Sequence, residues 1–149
     1  MSTTASGFKV LVIDDSNTIR RSAEIFLKQG GHDVLLAEDG FDALAKVNDY
    51  QPHLIFCDIL MPRLDGYGLL GRMRASRSEH LRAMPVVVIS GTDDADERLQ
   101  AKEAGATDLI TKGMPTAQLV SRLTLLAPLV IAQKRFDSGV AVAPALPAY

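Results

Sequence analysis

The stretch "HLIFCDILMPRLDG", residues 53–66, decides how this chain is read. Its apolar run ends on a carboxylate, Asp58. A short run of this kind, bounded by turn residues, reads as a strand buried on both faces. An ionised carboxylate is costly to remove from water unless it is paired. A buried strand that delivers an aspartate therefore implies a use for the charge at that place.

Four further runs of the same kind flank this one: "FKVLVI" (8–13), "DVLLA" (33–37), "PVVVIS" (85–90) and "TDLIT" (107–111). All read as strands. Between them the apolar spacing turns helical. Ile19, Ala23, Phe26 and Leu27 share one face, with Gly30-Gly31 as a stop. Asp39 can cap a second helix bearing Phe41, Leu44 and Val47. A third follows Asp65 with Leu69, Leu70 and Met73. A fourth, from about Asp93 to Ala104, has only Leu99 as a large anchor. A fifth starts near Thr116 with Leu119, Leu123 and Leu126 on one face. Strict alternation predicts an α/β fold, a parallel sheet with helices on both sides and right-handed crossovers. Residues 1–7 read as a flexible start, 8–127 as the domain, and 128–149, rich in Ala and Pro, as an extension or linker.

Composition narrows the function. The 149 residues are 47% apolar and 23% charged, with net charge −2, ordinary for a soluble globular domain. No Lys/Arg-rich run offers the footprint of a nucleic-acid binder. No apolar stretch is long enough for a membrane, and "MSTTASGFKV" lacks the pattern of a secretory signal. The single cysteine, Cys57, reads as a small buried hydrophobe. The expected location is the cytoplasm.

In an open parallel sheet, ligands bind beyond the carboxyl ends of the strands, where strand order reverses. Asp14-Asp15 end the first strand, Asp58 the third and Ser90 the fourth, while the fifth runs into Lys112. Two carboxylates ~5 Å apart repel by roughly 3 kcal/mol at an effective dielectric of about 20. Three call for a counter-charge, and all-oxygen ligands suit Mg²⁺. With Lys112 and the Ser90 hydroxyl, such a pocket suits phosphoryl chemistry, with Asp58 as nucleophile and Asp14 and Asp15 as metal holders. Taken singly, each residue has a plainer reading: an acid pair that caps a helix, a strand-end serine, a solvated lysine. The acidic run Asp93, Asp94, Asp96, Glu97 reads as a helix start. His32, His53 and His80 lack ligand spacing and receive no role.

"VLVIDDS", "FCDILMPRLDG", "VVVISG" and "GATDLITK", in this order, resemble the receiver domain of two-component response regulators. The resemblance runs from about Lys9 to Leu126. It implies a five-stranded parallel sheet of order 2-1-3-4-5 flanked by five helices, the flavodoxin-like receiver fold. It implies phosphorylation of Asp58 by a phosphohistidine of a sensor histidine kinase or histidine phosphotransfer protein. Asp15 and Asp58 would bind Mg²⁺ directly together with the backbone carbonyl of Leu60, with Asp14 helping. Ser90 would hydrogen-bond the phosphoryl group and Lys112 would pair with one of its oxygens, while Pro62 and Gly66 shape the following loop. The protein would be no enzyme beyond its own phosphoryl transfer and dephosphorylation, and would act by binding a downstream effector. "DDSNTIRRSAE", "DGFDALAKV" and "DILMPRLDGY" look most like single-domain, chemotaxis-like receivers of pilus-based twitching pathways.

The chain departs from the family at three places. Leu109 stands where an aromatic switch residue is usual. Gly113 follows Lys112 where proline is usual, and a trans bond is expected there. Leu60 and Thr92 occupy the positions that tune hydrolysis, and Leu60 has no side-chain group to orient water. In the last helix, Leu125, Leu129 and Ile131 lie off the core face and Pro128 should end it. That extra apolar surface covers the sheet or forms a homodimer face with the fourth helix. Two rivals stand beside the leading reading. One is a receiver cut from a longer regulator such as a cyclase. The other is an aspartate-nucleophile phosphatase, which generally shows D-x-D at the end of the first strand.

Overall fold

The computed structural model describes residues 7–61, 63–91 and 94–112, together with 118, 121, 122 and 125. Expectations placed on Pro62, Thr92, Gly113, most of the last helix and residues 128–149 lie outside these. The five strands are β1 (Lys9–Ile13), β2 (Asp33–Ala37), β3 (Leu54–Asp58), β4 (Val86–Ser90) and β5 (Asp108–Thr111). They form one sheet of order β2-β1-β3-β4-β5, parallel throughout. The helices are α1 (Asn17–Gln29), α2 (Gly40–Tyr50), α3 (Gly66–Arg74), α4 (Glu79–Ala83) and α5 (Ala95–Ala104). This is the parallel α/β sheet that the alternation predicted, in the flavodoxin-like order that the receiver resemblance implied, with its reversal between β1 and β3.

β3 and β4 are buried along their whole length, so both read as unbroken apolar runs. The sheet divides the core in two. One half holds Leu11, Ile13, Cys57 and Val88 with residues of α2 and α3, the other Val10, Val12, Phe56 and Ile89 with Ala23 and Leu27 of α1. The helices start where short polar side chains can accept the first free amides. Asp39 caps α2, Asp65 caps α3 and Asp94 caps α5. At α1 the cap is Ser16, whose Oγ accepts from the Ile19 N–H at 3.3 Å. The acid pair is thereby left for another task.

Three expectations need correction. The expected anchor of the helix before β5, Leu99, is 55% exposed. α5 instead buries Ala101, two residues and roughly 200° around the helix from Leu99. Phe26 and Phe41 are partly exposed rather than core. Phe41 lies against the guanidinium groups of Arg63 and Arg72, each 5.5 Å from its ring centre. α4 was not expected at all. Its five residues are too few for a periodic pattern, although Ser78 caps it in the usual way. The last expected helix is represented by Gln118, Ser121, Arg122 and Leu125, all helical.

Two histidines without an expected role hold the entry to β1. The Phe8 N–H donates to His32 Nδ1 at 3.1 Å, and the Lys9 N–H to His53 Nδ1 at 2.9 Å. Phe8 also stacks on the His32 ring. Both bonds require an unprotonated Nδ1. Burial holds His32 below its ordinary pKa of 6.5. The folded state then binds fewer protons than the unfolded one, so this contribution is complete above about pH 6.5 and is lost as pH falls below it. We expect His32→Asn to flatten the fall in unfolding free energy from about pH 7.5 to about pH 5.5, by about 1 kcal/mol at most. Urea titrations at the two pH values check this, and parallel curves for the two proteins would discount the histidine.

Candidate functional site

Parallel pairing carries the site to one edge of the sheet. β1 and β3 are in register from Val10 with Leu54 to Ile13 with Cys57, so their last residues leave the sheet side by side. Asp14 follows β1 and Asp58 ends β3. Across the next seam, Asp58 pairs with Ile89, which puts Ser90 one residue further along β4. Ser90 pairs with Thr111, and the Lys112 N–H donates to the Ser90 carbonyl at 2.7 Å. The backbone thus delivers Asp14, Asp15, Asp58, Ser90 and Lys112 to one crevice.

The carboxylate oxygens of Asp14, Asp15 and Asp58 lie within 4.8 Å of one another. Lys112 Nζ sits 3.0 Å from Asp58 Oδ2 and 3.7 Å from Asp14 Oδ2. Asp14 and Asp58 are buried, while Asp15 is exposed. Asp14 Oδ1 accepts from the Ser16 N–H at 2.8 Å, and the Arg20 guanidinium donates to the Asp14 carbonyl at 2.5 Å. Asp14 Oδ2 is buried with no hydrogen-bond partner among the described residues. Three carboxylates against one ammonium leave an excess of negative charge. Such a donor set, all oxygen with one buried oxygen unsatisfied, fits a hard divalent cation held by Asp14, Asp15 and Asp58.

The electrostatics express the same tension. Burial pushes the Asp14 carboxyl up to about 6, against the Ser16 N–H, and the neighbouring Asp58 adds to the rise. Burial also raises Asp58, opposed by the ion pair with Lys112 and by the Leu60 N–H. Burial disfavours the Lys112 ammonium, but Asp58 and Asp14 outweigh it and hold the lysine above its ordinary value.

The other expected residues among those described are Leu60, Gly66, Leu109 and Ser90. The Leu60 side chain is 76% exposed beside the acceptor, and its N–H reaches the Asp58 carboxylate. Gly66 opens α3 and its N–H donates to the Ile59 carbonyl at 2.9 Å, closing the loop that follows β3. Leu109 is fully buried in the core. Its side chain has no outward position from which to swing as an exposed aromatic would. Ser90 is 4% exposed, and its Oγ donates to Glu97 Oε1 at 3.3 Å. The sequence reading missed this partner. An acidic run at a helix start already has a sufficient local explanation, and only the fold brings Glu97 to β4. Cys57 is buried, as expected, and burial raises its thiol pKa.

Fold and pocket together define an α/β domain of the flavodoxin-like class with an acidic, lysine-bearing crevice at its switch point. A family model for the response regulator receiver domain matches residues 10–124. Protein PilG of Pseudomonas aeruginosa is 40% identical over 124 residues, covering 83% of this chain and 90% of PilG. Response regulator MprA of a Mycobacterium species is 31% identical over 118 residues, covering 79% of this chain. The chain spans about half the length of MprA and of several other relatives it matches. The structure of chemotaxis protein CheY4 of Vibrio cholerae superposes with a TM-score of 0.69 at 28% identity, covering 81% of this chain and 94% of CheY4. This chain belongs to the response regulator receiver domain family.

Proposed function

We propose that the chain is a phosphorylation-controlled signalling module whose acceptor is Asp58. The observation that carries this reading is the convergence of Asp14, Asp15 and Asp58 within 4.8 Å, with the Lys112 ammonium 3.0 Å from the acceptor. A sensor histidine kinase or histidine phosphotransfer protein supplies the group. The P–N bond of its phosphohistidine breaks as an Asp58 oxygen bonds to phosphorus, leaving an acyl phosphate and a free imidazole. Transfers of this kind depend on positioning and on neutralising charge over the moving oxygens. Asp15 and Asp58, with the Leu60 carbonyl and with Asp14 in support, hold Mg²⁺. The bound ion supplies positive charge opposite the phosphoryl oxygens. Lys112 leaves the carboxylate to pair with a phosphoryl oxygen, and the Ser90 hydroxyl donates to another. The strand β3, packed on both faces, holds Asp58 in place throughout.

The chain acts by binding a downstream protein and catalyses only its own phosphorylation and dephosphorylation. Its expected place among chemotaxis-like, pilus-type regulators is supported by the 40% identity to PilG. The half-length match to MprA supports a second reading, a receiver within a longer regulator, which the native reading frame decides. The mass of the protein after acetyl phosphate and Mg²⁺ tests the core of the proposal. We expect one phosphoryl adduct in wild type and none in Asp58→Asn; an adduct that persists in the variant sinks it. Leu60 leads to a further expectation. Its exposed aliphatic side chain cannot orient water against the acyl phosphate. Leu60→Asn should therefore shorten the phosphoryl lifetime several-fold, read as release of inorganic phosphate, and equal lifetimes would discard the role.

A further inference from the structure

The Ser90 hydroxyl is engaged by a residue outside the acidic cluster. It donates to Glu97 Oε1 at 3.3 Å, and Glu97 Oε2 accepts the hydroxyl of Tyr67. Glu97 lies in the first turn of α5 and Tyr67 in the first turn of α3. Both side chains are half-buried, and 30 residues separate them in the chain. One carboxylate therefore ties the end of β4 to two helices on the same rim of the sheet. The Glu97 backbone N–H is itself fixed by the Asp94 cap at 2.8 Å, so this carboxylate stands on an anchored turn.

A serine hydroxyl carries one proton. It can donate that proton to Glu97 or to a phosphoryl oxygen on Asp58, but not to both. Hydrogen bonds to an ionised acceptor are roughly twice as strong as neutral ones. The Glu97 bond is thus a competitor that a phosphoryl group has to displace. Leu109, buried and apolar, has no polar tip through which to report that displacement. Tyr67 has one, and it is already bonded to the residue that Ser90 would release.

We propose that Glu97 is a positioning residue that holds the Ser90 proton on α5 until a phosphoryl group competes for it, and that Tyr67 carries the release into α3. This inference rests on the receiver reading and adds the regulation of its site. The apparent affinity for a phosphoryl group is reduced by the fraction of protein in which Ser90 is held off. Removing the competitor raises that affinity, while leaving the carboxylate cluster that takes the cation unaltered. A purely structural role for Glu97 would not separate the two.

Beryllofluoride, a phosphoryl mimic, is the probe, with Mg²⁺ affinity measured alongside. Glu97→Ala should bind beryllofluoride about tenfold tighter than wild type, about 1.4 kcal/mol, with Mg²⁺ affinity unchanged. Glu97→Gln, which keeps the shape and weakens the acceptor, should shift the same way by less. Tyr67→Phe should do likewise, because it loosens Glu97 without removing it. The gain should vanish in Ser90→Ala, where adding Glu97→Ala changes nothing. Tyr67 ring resonances should move on beryllofluoride addition in wild type and not in Glu97→Ala. If acetyl phosphate forms the Asp58 adduct but the Glu97 variants bind beryllofluoride as wild type does, the latch is wrong and the receiver reading stands. A gain that survives in Ser90→Ala also overturns the latch. If no adduct forms in any protein, the receiver reading fails and the latch with it.

Discussion

Lys112→Met is expected to lower both the stability of the fold and the rate at which Asp58 acquires a phosphoryl group. Its ammonium lies 3.0 Å from Asp58 Oδ2 and 3.7 Å from Asp14 Oδ2, and both carboxylates are almost wholly buried. Removing one partner of a buried pair leaves the other charge uncompensated, at about 3–5 kcal/mol. The lysine side chain is 30% exposed, which places the loss at the lower end. About 2–3 kcal/mol, or roughly 8 °C in Tm, is the expected cost without added metal. The rate of adduct formation from acetyl phosphate should fall by about 10², the scale of losing one charge-stabilising donor. Asp58→Asn should act in the opposite direction on stability. It removes a carboxylate that burial already disfavours and relieves its repulsion with Asp14, for a gain of about 1 kcal/mol. Millimolar Mg²⁺ should restore most of what Lys112→Met loses, because a second cation then faces the same acids. Thermal melts of the three proteins, with and without Mg²⁺, decide the matter. If Lys112→Met melts with wild type, the lysine is a solvated side chain.

The opposite signs of those two substitutions trace back to a feature readable in the chain alone. Acids at the ends of apolar runs are informative because parallel pairing brings strand ends together, and the alternation of strands and helices is enough to predict that pairing. β3 and β4 were legible for the same reason, since a strand covered on both faces admits few polar residues. The cap at Asp39 and the helix starts beside Asp65 and within the acidic run that holds Asp94 were legible because capping is local. What escaped was non-local or short. Glu97 meets Ser90 and Tyr67 only after β4, α3 and α5 have packed. His32 and His53 have no ligand spacing, and their partners are the backbone amides of Phe8 and Lys9 at the entry to β1, 24 and 44 residues away. Leu99 is large yet exposed, so size alone does not mark the buried face of α5. α5 is held by a small residue, Ala101, and by polar ties such as Arg98 to Asp108 at 3.9 Å. A helix attached in this way has little apolar surface to lose on moving.

The Asp-Gly pair that ends "PRLDG" makes the second large prediction, through space rather than backbone conformation. An added Cβ at Gly66 would stand 2.8 Å from the Asp58 carbonyl oxygen and 2.9 Å from the Ile59 Cα. Both are backbone atoms at the end of β3, so no flexible side chain can yield. Helix propensity favours alanine over glycine by about 1 kcal/mol inside a helix. Overpacking against backbone costs about 1–3 kcal/mol and outweighs it. Gly66→Ala should therefore be destabilised by about 2 kcal/mol. One of the crowded atoms is the acceptor's own carbonyl oxygen, so Mg²⁺ affinity should fall as well. Gly71, in the same helix, has nothing within 4 Å of its added Cβ. Gly71→Ala should stabilise by about 0.5–1 kcal/mol and leave Mg²⁺ binding unchanged. Urea unfolding and Mg²⁺ titration of the pair separate space from propensity. If the two variants shift stability in the same direction, the close approach of α3 to Asp58 does not govern the site; opposite signs tie the glycine of the motif to the placement of its aspartate.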